Sequence, residues 1–333
     1  MNAPTRAEFL ARRMAGIGGS DLAAVLGLSP YKTPFQLWQE KTGRFENDFS
    51  PAQEERMHWG NVLEDVVARH YAEQRACKVQ RVNAQLVHRD WPIIIGNVDR
   101  VRVIEGSRAR WDAQAGRILG ADAVLEVKTA SAFAAQDKDS WGEPGTDQVP
   151  QHYWMQVQHY LGISGLPCAD LAVLFGGQEF RVYTIAAAAA LQRDMFDQAS
   201  DWWQRHVATD TPPDPSTEAE ARLAWATHRE GKQTIADMAT AERVAELHRV
   251  KAQIKALEEE EQLLRDQICC AFGDAEAITW QGRKLASWKA NAPSQKTDWK
   301  AAYLDLCPTS EHTQQFTTTT PGARVLRLAT VKE

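Results

Sequence analysis

Residues 121–128 read ADAVLEVK, and the octet sets an acid two places before a lysine inside an apolar run. In a strand, side chains alternate between faces. Ala123, Leu125 and Val127 then share one face, and Val124, Glu126 and Lys128 the other. A carboxylate and an ammonium are thereby held side by side at a strand end. Upstream, the run IIIGNVDRVRV carries a second acid, Asp99. Two acids and a lysine converging on one point make a hard-cation site with a positive charge beside it. Metal-assisted phosphodiester cleavage uses that arrangement, with oxygen ligands for a divalent metal and a cation to steady the attacking hydroxide or the developing charge. Each residue also has a plainer use. Asn97-Val98-Asp99 can turn the chain, and Glu126 and Lys128 can each pair with an opposite charge across a solvated sheet face. The conjunction, with helix–strand order on both sides, favours chemistry.

Other residues could complete such a site. In HWGNVLEDVVARHY, Glu64 and Asp65 point different ways from a helix. A solvated face is the default for them, and a second hard cation would want another carboxylate. GIGGSD, residues 16–21, leads into a helix start. Ser20 or Asp21 is a good N-cap, while exposed N–H groups there could also attract a phosphate, with Arg13 as a bidentate clamp. Gln156 and Gln158 lie two apart among Tyr153, Trp154 and Tyr160. Aromatics at helical spacing are usually core, and the local sequence does not separate a structural glutamine from one that binds phosphate or water.

These residues need elements to hold them. The spacing predicts short helices over residues 4–14, from Ser20 to near Gly27, and over 34–43 with Pro34 at the start and Gly43 at the stop. A longer helix is expected over about 56–75, strands at about 84–88, 93–98, 100–105 and 122–128, and a helix over 150–165. Residues 169–176 and 178–185 read as a hairpin around Gly176-Gly177, followed by a helix over 187–207. TPPDPSTE, 211–218, is a proline-rich linker. Beyond it, Leu247, Val250, Ile254, Leu257, Leu264 and Ile268 form a narrow apolar seam on a helix of about 235–272, expected to pack on its own domain. A hairpin turning at Gln281-Gly282 and a last strand over RVLRLATVK close the chain.

Composition narrows the field. At 44% hydrophobic and 25% charged residues, the chain reads as an ordinary globular protein. It lacks a transmembrane run or a secretory apolar core, and a cytoplasmic setting is expected. A net charge of −6 argues against non-specific coating of nucleic acid and leaves room for a local basic groove. Cys77, Cys168, Cys269, Cys270 and Cys307 match no zinc or iron–sulfur spacing and read as free thiols.

Taken together, RMAGIGGSD, HWGNVLED, IIGNVDRV, AVLEVKTA and VPQHYWMQVQHYLGISG resemble the YqaJ viral recombinase family, the lambda-exonuclease-like branch of the PD-(D/E)xK nucleases, over about residues 10–207. The resemblance implies an α/β (α+β) fold with a restriction-endonuclease-like core, a central mixed sheet flanked by helices. That core is a nuclease domain over 1–210, followed by the 211–218 linker and a helical and β-hairpin C-terminal extension over 219–333. It implies magnesium-dependent digestion of double-stranded DNA from a 5′ end, leaving a 3′ single strand. By motif, Asp99, Glu126 and the carbonyl of Val127 would bind Mg2+, with Mn2+ able to substitute, and Glu64 would support a second ion. Lys128 would orient or activate water. Arg13, Ser20 and Gln158 would hold the terminal phosphate. The implied partners are DNA ends, a single-strand annealing protein and further copies of the chain, as a homo-oligomer and by resemblance a trimer. A restriction-type or structure-specific endonuclease with the same core, and a catalytically silent DNA-binding scaffold, are the alternatives.

Overall fold

The computed structural model describes residues 13–44 and 50–290, with Trp299 and Tyr303. Most of the helix expected over 4–14 and all of the strand expected over RVLRLATVK lie outside the described residues. The chain divides into two compact units, Met1–Ala224 and Trp225–Glu333.

The first unit is built on a five-stranded mixed sheet in the order β1-β4-β7-β8-β9. These are β1 (Lys78–Gln80), β4 (Arg100–Val103), β7 (Ala121–Ala130), β8 (Cys168–Phe175) and β9 (Glu179–Ala186). β7 pairs antiparallel with β4 and parallel with β8, and β8 pairs antiparallel with β9. A parallel neighbour requires a crossover, and α4 (Gln151–Ser164) supplies it between β7 and β8. Helices cover both faces. On one, α3 (Pro51–Gln74) sets Val67, Ala68 and Tyr71 against Leu125, Val127, Ala172 and Val182. On the other, α4 and α1 (Gly19–Val25) bury Val124, Val157, Leu161 and Leu22 in the main core. The expected alternation along ADAVLEVK is therefore realised: Leu125 and Val127 lie under α3, and Val124 joins the opposite core.

Local chemistry explains the element ends. α3 starts earlier than expected because Ser50 caps it, Pro51 opens it and Gln53 Oε1 accepts from the Ser50 N–H at 2.9 Å. α2 (Pro34–Lys41) is capped by Thr33, whose Oγ1 accepts from the Gln36 N–H at 3.0 Å. Two short strand pairs lie outside the main sheet. β2 (Leu86–Val87) pairs with β3 (Ile95–Gly96), and β5 (Arg110–Asp112) pairs with β6 (Arg117–Leu119), a hairpin not foreseen from the sequence. β1 was likewise not foreseen. α5 (Ala189–Trp202) continues as a π turn over Trp203–Ala208.

The proline-rich stretch lies within the first unit. After it, α6 (Glu218–Ala224) buries Glu220, which accepts from Thr33 Oγ1 at 2.6 Å and from the Ser216 N–H at 2.8 Å.

The second unit holds α7 (Met238–Phe272), started by Asp237, whose Oδ1 accepts from the Thr240 N–H at 2.7 Å. β10 (Ala277–Trp280) and β11 (Arg283–Ser287) form a hairpin through Gln281 and Gly282, both at positive φ, as Gln281-Gly282 required. Along the seam of α7, Leu247 and Val250 are half-buried, whereas Ile254, Leu257, Leu264 and Ile268 are exposed. Among the described residues no helix is long and apolar enough to cross a membrane.

Candidate active site

Strand β7 delivers Glu126 and Lys128 to the face covered by α4. The Glu126 side chain is only 2% exposed, and that of Lys128 is 21% exposed at the rim. Lys128 Nζ donates to Glu126 Oε1 at 2.6 Å, and Gln156 Nε2 donates to the same oxygen at 2.9 Å. Glu126 Oε2 is buried and has no hydrogen-bond partner. Asp99 ends the preceding loop across from them, and its Oδ2 accepts from the Val127 N–H at 3.0 Å. The Asp99 carboxylate thus sits against the β7 backbone beside Glu126, and the turn-making role of Asp99 is not its only one.

The electrostatics follow from this crowding. Burial disfavours the charged form of Glu126, the neighbouring Asp99 disfavours it further and Lys128 opposes both. The carboxyl is pushed up to about 8. For Lys128, burial works against the charge, and Glu126 and Asp99 more than offset it, so its pKa is raised. The Lys128 ammonium also lies 5.5 Å from the centre of the Tyr153 ring. Desolvation and the nearby Glu126 and Asp99 push Tyr160 well above the usual phenol range, which keeps it neutral, and its hydroxyl accepts from Gln156 Nε2 at 3.1 Å.

Glu64 comes close enough to add to the rise at Glu126, but its carboxylate is engaged. Arg100 Nη1 donates to Glu64 Oε1 at 2.7 Å, and Arg81 Nη2 reaches the same oxygen at 3.1 Å. Arg100, itself buried, also donates to the Asp99 carbonyl at 2.6 Å and pairs with Asp65. Among the described residues no three acidic, histidine or cysteine side chains are grouped to hold a metal.

The glycine-rich turn sits over the same site. Gly16 passes so near Ile93 that a Cβ would lie 2.4 Å from its carbonyl oxygen, and a Cβ on Gly19 would lie 2.8 Å from the Tyr160 ring. These glycines are thus required for close packing. Asp21 is the turn's anchor. It is fully buried, accepts from the Gly18 N–H at 3.1 Å and binds Lys41 Nζ at 2.7 Å and Lys32 Nζ at 3.3 Å. Arg13 Nη2 lies 3.9 Å from Asp21 Oδ1, and Ser20 is exposed in the first turn of α1. Burial alone would raise the Asp21 pKa, but Lys41, Lys32 and Arg13 together hold it well below the usual carboxylate range.

Gln158 is placed elsewhere. Its amide is fully buried, with Nε2 donating to the Ala186 carbonyl at 2.7 Å and Oε1 accepting from the Ala188 N–H at 3.0 Å and Gln192 Nε2 at 2.8 Å. It pins α4 to the β9–α5 corner. Two residues along a helix turn the side chain to roughly the opposite side, so Gln156 faces the acids and Gln158 faces away. Lys32 and Lys41 have no local signal marking them for the site, Tyr153 and Tyr160 read from their spacing as core, and Arg100 is hinted at only by its place directly after Asp99 in NVDR.

The protein YqaJ of Bacillus subtilis (strain 168), described as uncharacterized, is 34% identical over 291 residues, 86% of this chain and 83% of that protein. The YqaJ-like viral recombinase domain matches residues 8–167. The chain belongs to the YqaJ-like viral recombinase family. The matched YqaJ domain spans Arg13, the glycine-rich turn, Asp99, Glu126, Lys128 and Gln156, so the whole constellation lies inside it. Two solved structures also align. An alkaline exonuclease from Laribacter hongkongensis is 16% identical with a TM-score of 0.46, covering 61% of this chain and 93% of its own. A phage-related exonuclease from Haemophilus somnus 129PT is 10% identical with a TM-score of 0.37, covering 61% and 99%. Likeness at that level says nothing about the chemistry.

Proposed function

We propose that this protein is a metal-dependent exonuclease that digests double-stranded DNA from a 5′ end and leaves a 3′ single strand for recombination. The observation that carries the reading is the pair of carboxylates beside β7, Glu126 within the strand and Asp99 against its backbone, with Lys128 bonded to Glu126. Glu126 keeps a buried oxygen without a partner, and Asp99 is held beside it by the Val127 N–H. A buried, unpartnered carboxylate oxygen costs stability, and a hard divalent cation relieves that cost.

The residues therefore fit Mg2+, with Mn2+ as a substitute: Asp99, Glu126 and the carbonyl of Val127 would hold it. When bound, the ion supplies a Lewis acid at the scissile phosphate and an acidified water. Gln156 and Lys128 fix the orientation of Glu126. Lys128, open to solvent at the rim, orients the attacking water and steadies developing negative charge. A single ion would draw on Asp99 and on the unpartnered Oε2 of Glu126, displacing the Glu126 proton. A second ion on Glu64 would compete with Arg100 and Arg81, which both hold its Oε1. Arg13 and Ser20, placed over Tyr160 by the glycine-rich turn, take the 5′-terminal phosphate. Gln158 supports this only by fixing α4. A single-strand annealing protein would receive the product strand, and the working form would be a homo-oligomer.

The test is incubation with linear and closed-circular duplex DNA, with EDTA or Mg2+. Linear DNA should shorten from its 5′ ends only when Mg2+ is present, and Asp99→Ala and Lys128→Ala should each abolish this. Cleavage of the closed circle would make the protein an endonuclease. Full activity in Lys128→Ala would remove the role given to that residue.

A further inference from the structure

Beside the acids, the first unit contains a cleft of about 510 Å3 between residues 80–84 and 108–111. Its lining includes Arg81, Arg108 and Arg110 and no acidic residue, in a chain whose net charge is −6. The exposed Asn83 and the half-buried Trp111, which also packs against the main core, complete the lining. Arg108 makes no hydrogen bond or ion pair among the described residues, whereas Arg110 pairs with Asp112 at 2.8 Å. The walls are tied together. Gln80 Nε2 donates to the Ala109 carbonyl at 2.7 Å, and the Ala109 N–H donates to Gln80 Oε1 at 3.2 Å. Gly120 lets β7 pass beneath, since a Cβ there would lie 2.4 Å from the Arg108 carbonyl oxygen. The cleft is therefore a formed feature of the fold.

Its position is specific. Arg81 lines the cleft and also reaches Glu64 at 3.1 Å, and Glu64 shares Arg100 with the Asp99 carbonyl. Arg81, Glu64 and Arg100 link the cleft to Asp99 in an unbroken series of contacts. Cationic forks beside an aromatic face are the chemistry that holds unpaired nucleotides, the cations tracking phosphates and the ring stacking a base. The volume suits one or two nucleotides, as for an ordinary ligand pocket of roughly 300–1,000 Å3. A duplex is too wide to enter it.

We propose that the Arg81–Arg108–Arg110–Trp111 cleft is a second nucleic-acid site that binds single-stranded DNA, taking the strand that separates from the duplex beside the cut. It rests on the nuclease reading for its biological use, though not for its measurement. The shared chemistry is a nucleotide unit, which a DNA strand or a free nucleotide could present. Arg108 is uncommitted, and Arg81 and Arg110, now held by Glu64, Asp65 and Asp112, would exchange carboxylates for successive phosphates, which favours the strand.

The experiment measures fluorescence anisotropy of a short labelled oligothymidylate with the full chain in EDTA across a salt series. Arg108→Ala combined with Arg110→Ala should weaken binding at least about tenfold, since each charge-assisted bond exceeds the roughly 1.4 kcal/mol that makes a decade. The salt slope should fall by about 0.7 for each phosphate that is no longer neutralised. Trp111→Leu should weaken binding without changing the slope, which guards against misfolding as the cause. Unchanged affinity and slope in the double variant overturn the proposal. So does equal weakening for blunt duplex and single strand, or competition by free thymidine monophosphate as effective as by the oligomer. Digestion of short linear duplex in Mg2+, measured in parallel, tests the nuclease reading separately. Active protein with arginine-independent oligomer binding refutes the cleft alone, and inactive protein with arginine-dependent binding refutes the nuclease reading alone.

Discussion

Replacing Glu126 by glutamine should make the metal-free protein more stable and inactive, and the gain should depend on pH. Glutamine keeps the shape of a permanently neutral glutamate. In the fold, burial and Asp99 lift the Glu126 carboxyl from its ordinary 4.5 to about 8. A group whose pKa is raised by folding gives stability that is complete below its unfolded value and lost as pH rises through the folded one. The window here is therefore about 4.5 to 8. The full difference between the ionised and neutral forms is about 5 kcal/mol, at roughly 1.4 kcal/mol per decade. About 3 kcal/mol of it is expressed at pH 7, and less than about 1 kcal/mol at pH 5. The attraction to Lys128 is already contained in that balance. The assay is urea unfolding in EDTA at several pH values, read by hydrogen exchange in peptides spanning β7 and α4, which isolates the first unit. Other titrating groups cancel in the difference between the two proteins. Mg2+ should stabilise the wild type and leave the variant nearly unchanged. A variant that is less stable at pH 7, or a difference that does not change with pH, would refute the argument that this carboxylate is held at the expense of stability.

Arg13→Ala should remove most of the preference for 5′-phosphorylated over 5′-hydroxyl ends, compared by initial rates, while leaving Mg2+ stabilisation intact. Gly19→Ala should cost about 1–3 kcal/mol through overpacking against Tyr160 and slow digestion by displacing the Tyr160–Gln156 pair; wild-type Tm and rate would remove that packing role. His159 is buried and its pKa is lowered from 6.5 to about 4 by burial, so stability present above 6.5 should be lost as pH falls toward 4, by about 3 kcal/mol, a dependence that His159→Gln should flatten. A chain ending at Ala224 should stay soluble and digest linear DNA, whereas one ending at Ser216 should lose stability because it lacks Glu220, the partner of Thr33.

Much of this arrangement was legible in the sequence where the physics is local. Alternation alone assigned the two faces of β7, because one face packs under α3 and the other under α4. Pro34 and Gly43 marked the ends of α2, and Gly176-Gly177 and Gln281-Gly282 marked tight turns, because each of these signals acts within a few residues. What escaped was set by distant partners. β1 is three residues long and exists because Val79 and its neighbours pair with β4. The β5–β6 hairpin depends on Gly120 and on contacts from Gln80, neither of which leaves a periodic trace. The seam of α7 was read correctly as apolar, but periodicity cannot say what an apolar stripe will meet.

The site shows the same division. Asp99, Glu126 and Lys128 could be named from residue type and spacing, since the chemistry requires those types at a strand end. The two glutamines could not be separated that way, because only the packing of α4 decides which of them turns toward Glu126. Glu64 illustrates a further limit. Its type fits a metal ligand and its charge reaches Glu126, yet Arg100 and Arg81 have claimed its carboxylate. A buried arginine between Glu64 and the Asp99 carbonyl compensates one acid, while Lys128 pairs with Glu126. Were Glu64 free as well, its repulsion would hold the proton on Glu126 more firmly still. With Glu64 held and the Glu126 carboxyl pushed up to about 8, Asp99 carries the negative charge beside Lys128 at the rim, and a divalent cation that uses both carboxylates would have to displace the Glu126 proton.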